Sequence, residues 1–312
     1  MALLKLFNGA LGINNKVPAY RLPYSQETGV AALEAATDVM VDRTGAITGR
    51  LGSEEIEAGD FHSLFPGKEW GLVAKDRTSD TALYRVTVSE TPTITLNGIW
   101  SGMVKGAWID FCRVNNAIFF TNGYGTGMIS QDAVVSDWQT SVWADSASIA
   151  GFTAPPASHH LCFNAGRIYF SINNMIHYTE FAHLGLYNPA IGGEQFATKI
   201  LAIAPAADGI YVSDSDAIYF LSGLNPHKWT NRKVADYPAK EWGKFHGTVD
   251  PSFFGFETNV PSSLLATESG PVICLPGGRV ENLIGKNVTM PDCPAVGAIS
   301  VFDETLVVQS HE

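Results

Sequence analysis

The chain of 312 residues carries 20 Lys and Arg against 31 Asp and Glu, a net charge of −11, with hydrophobic residues at 46% and charged residues at only 16%. That balance excludes a disordered polymer, and an acidic surface gains little counterion release from a polyanion, which argues against tight or sequence-specific nucleic-acid binding. No apolar run approaches the ~20 residues that span a bilayer, and residues 1–8 lack the long apolar stretch and cleavage site of a signal peptide, so synthesis in the cytoplasm without membrane insertion is expected.

In chain order, L-L-K-L-F at residues 3–7 reads as a short strand, and V-A-A-L-E-A-A-T at residues 30–37, rich in helix formers, as a short helix. D-V-M-V-D-R-T-G-A-I-T-G-R from Asp38 reads as a tight hairpin turning at residues 42–45. From there a unit repeats: a turn, then an apolar strand, then a second turn and strand. The first residues of the marked strand are Leu72, Ile118, Ile168, Ile210, Val272 and Leu306, at intervals of 46, 50, 42, 62 and 34 residues. Six positions before four of these anchors stand Cys112, Cys162, Ala204 and Ala266, with Ser300 before the last, so a small residue recurs in register. Seven positions beyond three of them another strand starts, at Met175, Ala217 and Arg279, after Asn173-Asn174, Ser215-Asp216 and Gly277-Gly278, pairs that suit tight hairpin turns. The Ile118 copy lengthens that turn to G-Y-G-T-G at residues 123–127, and the Leu72 copy is the weakest.

Repeats of ~40 to 50 residues with several strands each are the signature of propeller blades. Six anchors predict an all-β, six-bladed β-propeller over residues 53–312, preceded by an N-terminal extension, residues 1–52, in a single overall domain. The last blade begins near Pro294 and has too few residues for four strands, so strands from the extension are expected to complete it and protect its edge.

No catalytic motif is present: G-x-S-x-G, G-x-x-x-x-G-K-[ST] and H-E-x-x-H are missing, as are the S-x-D-x-G-x-x-W boxes of sialidase-like propellers. No enzyme activity, catalytic residue, metal or cofactor is therefore expected. His159, His160, His177 and His183 match no metal-ligand spacing, and Asp214-Ser215-Asp216 lacks the rest of a calcium loop and reads as a turn. Cys112, Cys162, Cys274 and Cys293 lie far apart with no C-x2-C, which disfavours a disulfide framework or zinc site. Asn287-Val288-Thr289 is a glycosylation sequon only in a secretory context. Trp138 and Trp229 lie 20 and 19 residues beyond their anchors; with Tyr124 in the G-Y-G-T-G turn they are the candidate contact residues, and packing between blades is the stronger reading of the tryptophans.

Several segments resemble β-propeller virion proteins of tailed bacteriophages, of the tail nozzle, tail-accessory and tail-tip type. They are F-N-G-A-L-G-I-N-N-K at residues 7–16, A-T-D-V-M-V-D-R-T-G-A-I-T-G-R-L-G at 36–52, F-F-T-N-G at 119–123, H-H-L-C-F-N-A-G-R-I-Y at 159–169, D-G-I-Y-V-S-D-S-D-A-I-Y-F-L-S-G at 208–223 and P-H-K-W-T-N-R-K-V-A-D-Y at 226–237. The resemblance implies a multi-copy structural protein of the tail, a homo-oligomer in the virion that contacts other tail or portal-proximal proteins. It brings no catalytic residues with it. A baseplate position is compatible with it, and so is a place lining or surrounding the DNA exit path, where net negative charge repels DNA. The alternatives are a host receptor or surface-glycan binding module and, behind it, a carbohydrate-active enzyme.

Overall fold

Alternating apolar strands separated by Asn, Asp and Gly turns bury their faces only by stacking sheet on sheet. A computed structural model describes residues 10–13, 24–25, 30–33, 39–41, 47–49, 57–66, 70–88, 94–138, 151–249, 260–283, 296–302 and 305–311. The chain divides into two compact units, one of Met1–Ile56, Ser269–Pro271 and Asn282–Asp292, the other of Glu57–Glu268, Val272–Glu281 and Cys293–Glu312.

In the first unit, Ala10–Ile13, Val30–Leu33 and Tyr24–Ser25 form a three-stranded sheet with Val30–Leu33 in the middle. The helix expected over residues 30–37 is thus a strand where it is described. Val30 pairs with Ser25 and Leu33 with Ile13, and these sheet partners override a weak helical propensity. The hairpin expected after Asp38 is present, with Val39–Val41 antiparallel to Ile47–Gly49. The strand expected at residues 3–7 lies outside the described residues.

The second unit is a β-propeller of five blades. Four are antiparallel four-stranded sheets: Phe61–Phe65, Gly71–Asp76, Thr81–Val88 and Ile94–Met103; Asp110–Val114, Ala117–Thr121, Thr126–Ile129 and Val135–Asp137; Leu161–Asn164, Arg167–Ile172, Met175–Tyr178 and Glu194–Gln195; Ile200–Ala206, Gly209–Asp214, Ile218–Ser222 and Thr230–Ala235. The fifth sheet has six strands in the order Arg279–Asn282, Gly270–Leu275, Val260–Thr267, Ala239–Val249, Val296–Phe302, Thr305–His311.

The count corrects the expected six. The Leu306 copy is a two-stranded hairpin, with Ser300 opposite Val307, inside the fifth sheet. Among the described residues, Ala239–Val249 pairs with Val296–Phe302 inside this sheet.

Inter-blade walls explain the repeat. Cys112 stands opposite Phe119, Cys162 opposite Tyr169 and Ala204 opposite Tyr211 on neighbouring strands. Opposed Cβ atoms are only about 5 Å apart, so a large ring on one strand requires a small partner on the other. Each such pair faces the next blade, while the anchor itself faces the previous one. Phe119 and Cys112 meet Ile168 and Phe170; Tyr169 and Cys162 meet Ile210 and Val212; Tyr211 and Ala204 meet Val272 and Cys274.

Blade one shows why its copy looked weak. Leu72 packs with Ile118 and Phe120 of the next blade, and its cross-strand partner is Phe65. Leu72 therefore occupies the position of Phe119, and Gly71 that of the anchor, one residue from the expected register. A shift of one residue exchanges the two faces of a strand.

Candidate functional site

The 62-residue interval between Ile210 and Val272 holds an extra strand. Ala239–Val249 precedes the hairpin equivalent to the first two strands of the other blades, and it lies where the first strands of blades two, three and four converge. The Lys244 ammonium donates to Asp110 of blade two and to the Leu161 carbonyl of blade three, and lies 3.3 Å from the Ile203 carbonyl of blade four. One side chain from blade five thereby binds three other blades.

Asp110 is equally committed. Its Oδ1 accepts the Phe111 N–H at 2.9 Å and its Oδ2 the Leu161 N–H at 2.7 Å, besides Lys244. Burial pushes this carboxyl up, but Lys244 and His160 beside it more than offset that, and its pKa falls below the usual carboxylate value.

The axial strand is bulged, since the pairing Ala239 with Thr267 is followed by Lys244 with Leu265. Within the bulge Trp242 takes φ +67°, a left-handed conformation rare for a bulky aromatic residue and sustained only where surrounding contacts enforce it. Here the contacts are rings. His62 lies 5.4 Å from Trp108, Trp108 stacks 6.3 Å from Trp242, and Trp242 lies 4.6 Å from His160.

His160 is fully buried, with Nδ1 3.7 Å from Asp110 Oδ2 and Nε2 3.8 Å from Glu241 Oε1. Neither nitrogen makes a hydrogen bond, so carboxylates flank the ring on both sides. Glu241 also takes the Lys199 ammonium at 2.7 Å. Burial raises the Glu241 pKa, yet His160 and Lys199 outweigh it and bring the carboxyl down to about 2.

Blade one holds a serine, a histidine and an aspartate in relay order. Ser63 Oγ lies 2.7 Å from His62 Nδ1, and His62 Nε2 lies 3.3 Å from Asp76 Oδ1. Burial lowers the His62 pKa against the opposing pull of Asp76. Ser63, however, is 8% exposed, and its oxygen already accepts the Ile109 N–H at 2.8 Å. Asp76 is occupied by the Thr81 hydroxyl and by the Gly106 N–H at 3.1 Å. These bonds tie blade one to the segment entering blade two, and they cover the oxygen that an acyl group would have to reach.

The residues singled out from sequence do not converge. Tyr124 is 72% exposed in the turn between the second and third strands of blade two. Trp138 is 4% exposed, donates from Nε1 to the Leu184 carbonyl at 3.0 Å and packs 4.9 Å from Phe119, at the wall of a cavity of about 410 Å³. Trp229 donates to the Gly223 carbonyl at 2.9 Å and lies 5.5 Å from Tyr169. Both tryptophans are thus held by packing.

Of the four histidines, His160 lies in the axial cluster and His159 lies beside Gly123 of the blade-two turn; His177 stacks 5.6 Å from Phe170, and His183 sits in the loop after Tyr178. Asp214 accepts the N–H groups of Asp216 and Ala217, each at 2.9 Å, as a turn residue does. Among the described residues no group of His, Cys, Asp or Glu is arranged to hold a metal ion, and Cys112, Cys162 and Cys274 are free buried thiols. Cys293 and Asn287 lie outside the described residues. Sequence reasoning missed Asp110, Trp242 and Lys244; the overlong interval signalled the last two, and nothing in the sequence signalled Asp110.

No protein family matches the chain, and no curated protein matches it. Among solved structures, the chain is similar to the N-terminal domain of Nup159, at 11% identity over 80% of this chain and 72% of that one, TM-score 0.44. It is also similar to the computationally designed Ika8 protein, at 9% identity over 82% and 70%, TM-score 0.42. A third is the PQQ-bound aldose sugar dehydrogenase of Streptomyces coelicolor, at 9% over 72% and 86%, TM-score 0.38.

Proposed function

We propose that this chain is a structural, non-enzymatic protein of a bacteriophage tail, present in several copies at the nozzle, tail tip or baseplate and in contact with other tail proteins. The observation that carries the proposal is the stitched axis: Lys244 joins blade five to blades two, three and four, which suits a part that must keep its shape under load. The segments that resemble tail proteins support it, because residues 159–169 and 208–223 build the hairpins that form the walls between blades two, three, four and five. With Lys244, Asp110, His160 and Trp242 filling the axis, DNA leaving the particle passes outside the propeller's own centre, and the net charge of −11 keeps it from adhering. No helix among the described residues is long and apolar enough to cross a membrane.

Mass spectrometry and cryo-electron microscopy of purified particles test the proposal. The chain is expected at fixed stoichiometry in the tail, and its absence from particles rejects it. Tyr124 favours one second reading, a host receptor or surface-glycan module, since an exposed aromatic ring on a turn is a stacking surface for a sugar. Glycan arrays with the wild type and Tyr124→Ala decide that reading, which requires binding that the substitution abolishes.

A further inference from the structure

The outermost strand of a blade leaves one row of N–H and C=O groups open, and proteins blunt such rows with brevity, charge, proline or bulges. Four of the five outer strands conform. Val135–Asp137 and Glu194–Gln195 have three and two residues, Thr230–Ala235 carries Arg232 and Lys233, and Arg279–Asn282 carries Arg279 and Glu281.

Blade one departs from them. Its outer strand Ile94–Met103 runs for ten residues, I-T-L-N-G-I-W-S-G-M, without a charge or a proline. Beyond Gly98 the strand is bulged, because its register with the third strand slips on either side of Leu83. Residues 94–98 are regular, with Ile94, Thr95, Leu96, Asn97 and Gly98 opposite Val88, Thr87, Val86, Arg85 and Tyr84. Among the described residues nothing pairs with their other edge, and Thr95, Asn97, Gly98 and Trp100 are exposed.

We infer that residues 94–98 are a self-association edge, on which the same strand of a second copy pairs antiparallel about a two-fold axis at Leu96. Such a pairing is self-complementary by symmetry: Leu96 meets its own copy, Thr95 meets Asn97, and Ile94 meets Gly98. Charge selects this edge over the other four outer strands, each of which carries a charged side chain. Two copies of a chain with net charge −11 repel, and they approach with least opposition where the strand is neutral; the same pairing of Thr230–Ala235, centred between Arg232 and Lys233, would set each of these cations against the other's copy. Five residues form a small interface, weak between two free subunits and strengthened by avidity in an assembly. The inference names a surface for the multi-copy proposal and rests on that proposal for its biological purpose.

Sedimentation velocity of the full chain over rising concentration tests it. The wild type is expected to dimerise reversibly, and Asn97→Lys, an exposed change, to raise the dissociation constant at least roughly tenfold with unchanged melting. Under mild oxidation Leu96→Cys is expected to give a covalent dimer that neither the wild type nor Asn231→Cys on the blade-four edge gives; this second variant decides the matter if Asn97→Lys folds poorly. A wild type that stays monomeric up to roughly 1 mM overturns the inference. So does a dimer indifferent to both substitutions, an outcome that leaves the multi-copy proposal standing. Absence of the chain from particles rejects that proposal and leaves the edge to the sedimentation result.

Discussion

Replacing Lys244 with Met keeps most of the side-chain volume and removes the charge that three blades share. Asp110 then remains as a buried carboxylate without its ammonium partner, a loss that costs about 3–5 kcal/mol where one member of a buried pair is deleted. The lower end applies, because Asp110 keeps the Phe111 and Leu161 N–H bonds and has His160 3.7 Å away. About 3 kcal/mol at roughly 2–4 °C per kcal/mol lowers the melting temperature by about 6–12 °C. Thermal unfolding followed by circular dichroism measures the shift, and a double-mutant cycle with Asp110→Asn isolates the pair. Lys244→Met is expected to cost at least about 1 kcal/mol less in the Asp110→Asn background, where no unpaired carboxylate is left. A single mutant melting within about 1 °C of the wild type, or strictly additive costs, would falsify the view that this lysine holds the blades together.

Acid should weaken the same region in a defined window. The folded-state pKa of Glu241 lies at about 2 against an ordinary 4.5, so its contribution is complete above pH 4.5 and is lost as the pH falls toward 2; Glu241→Gln should flatten that part of a stability-versus-pH curve. Ser63→Ala leaves the Ile109 N–H without its acceptor and should cost about 1–3 kcal/mol in chemical denaturation, while the wild type should resist serine-directed fluorophosphonate labelling. Gly209→Ala places a Cβ 2.3 Å from the Leu221 carbonyl oxygen and 2.8 Å from the Phe220 ring; since backbone yields little, a loss of at least about 2 kcal/mol is expected on thermal melting.

The blades were legible in the sequence because their information is local. Ile118, Ile168 and Ile210 each stand in a hairpin whose partner strand lies a few residues away, and the small residue six positions earlier is its cross-strand neighbour once removed. Gly71 offers no side chain to mark its register, and the apolar pattern therefore points to the adjacent Leu72. V-A-A-L at residues 30–33 is too short for a helical or a strand period to show, and only its pairing with Ser25 and Ile13 decides between them. The sixth anchor misled because a hairpin carries the same pattern as half a blade. The axis was hidden for a different reason. Asp110 and Lys244 lie 134 residues apart, and a contact at that separation leaves no periodic trace in either segment.

That separation also sets an order of events during synthesis. At roughly 5–20 residues per second, Asp110 leaves the ribosome about 7–27 s before Lys244. Blades one to four, whose contacts are nearly all between neighbours in the chain, can assemble in that interval around a centre still open to water. The arrival of Ala239–Val249 then closes it, so the fifth blade also completes the interior of the four made before it. A nascent chain arrested before Ala239 is therefore expected to hold formed walls and a protease-sensitive centre, and release of the remaining residues to convert it to the resistant form.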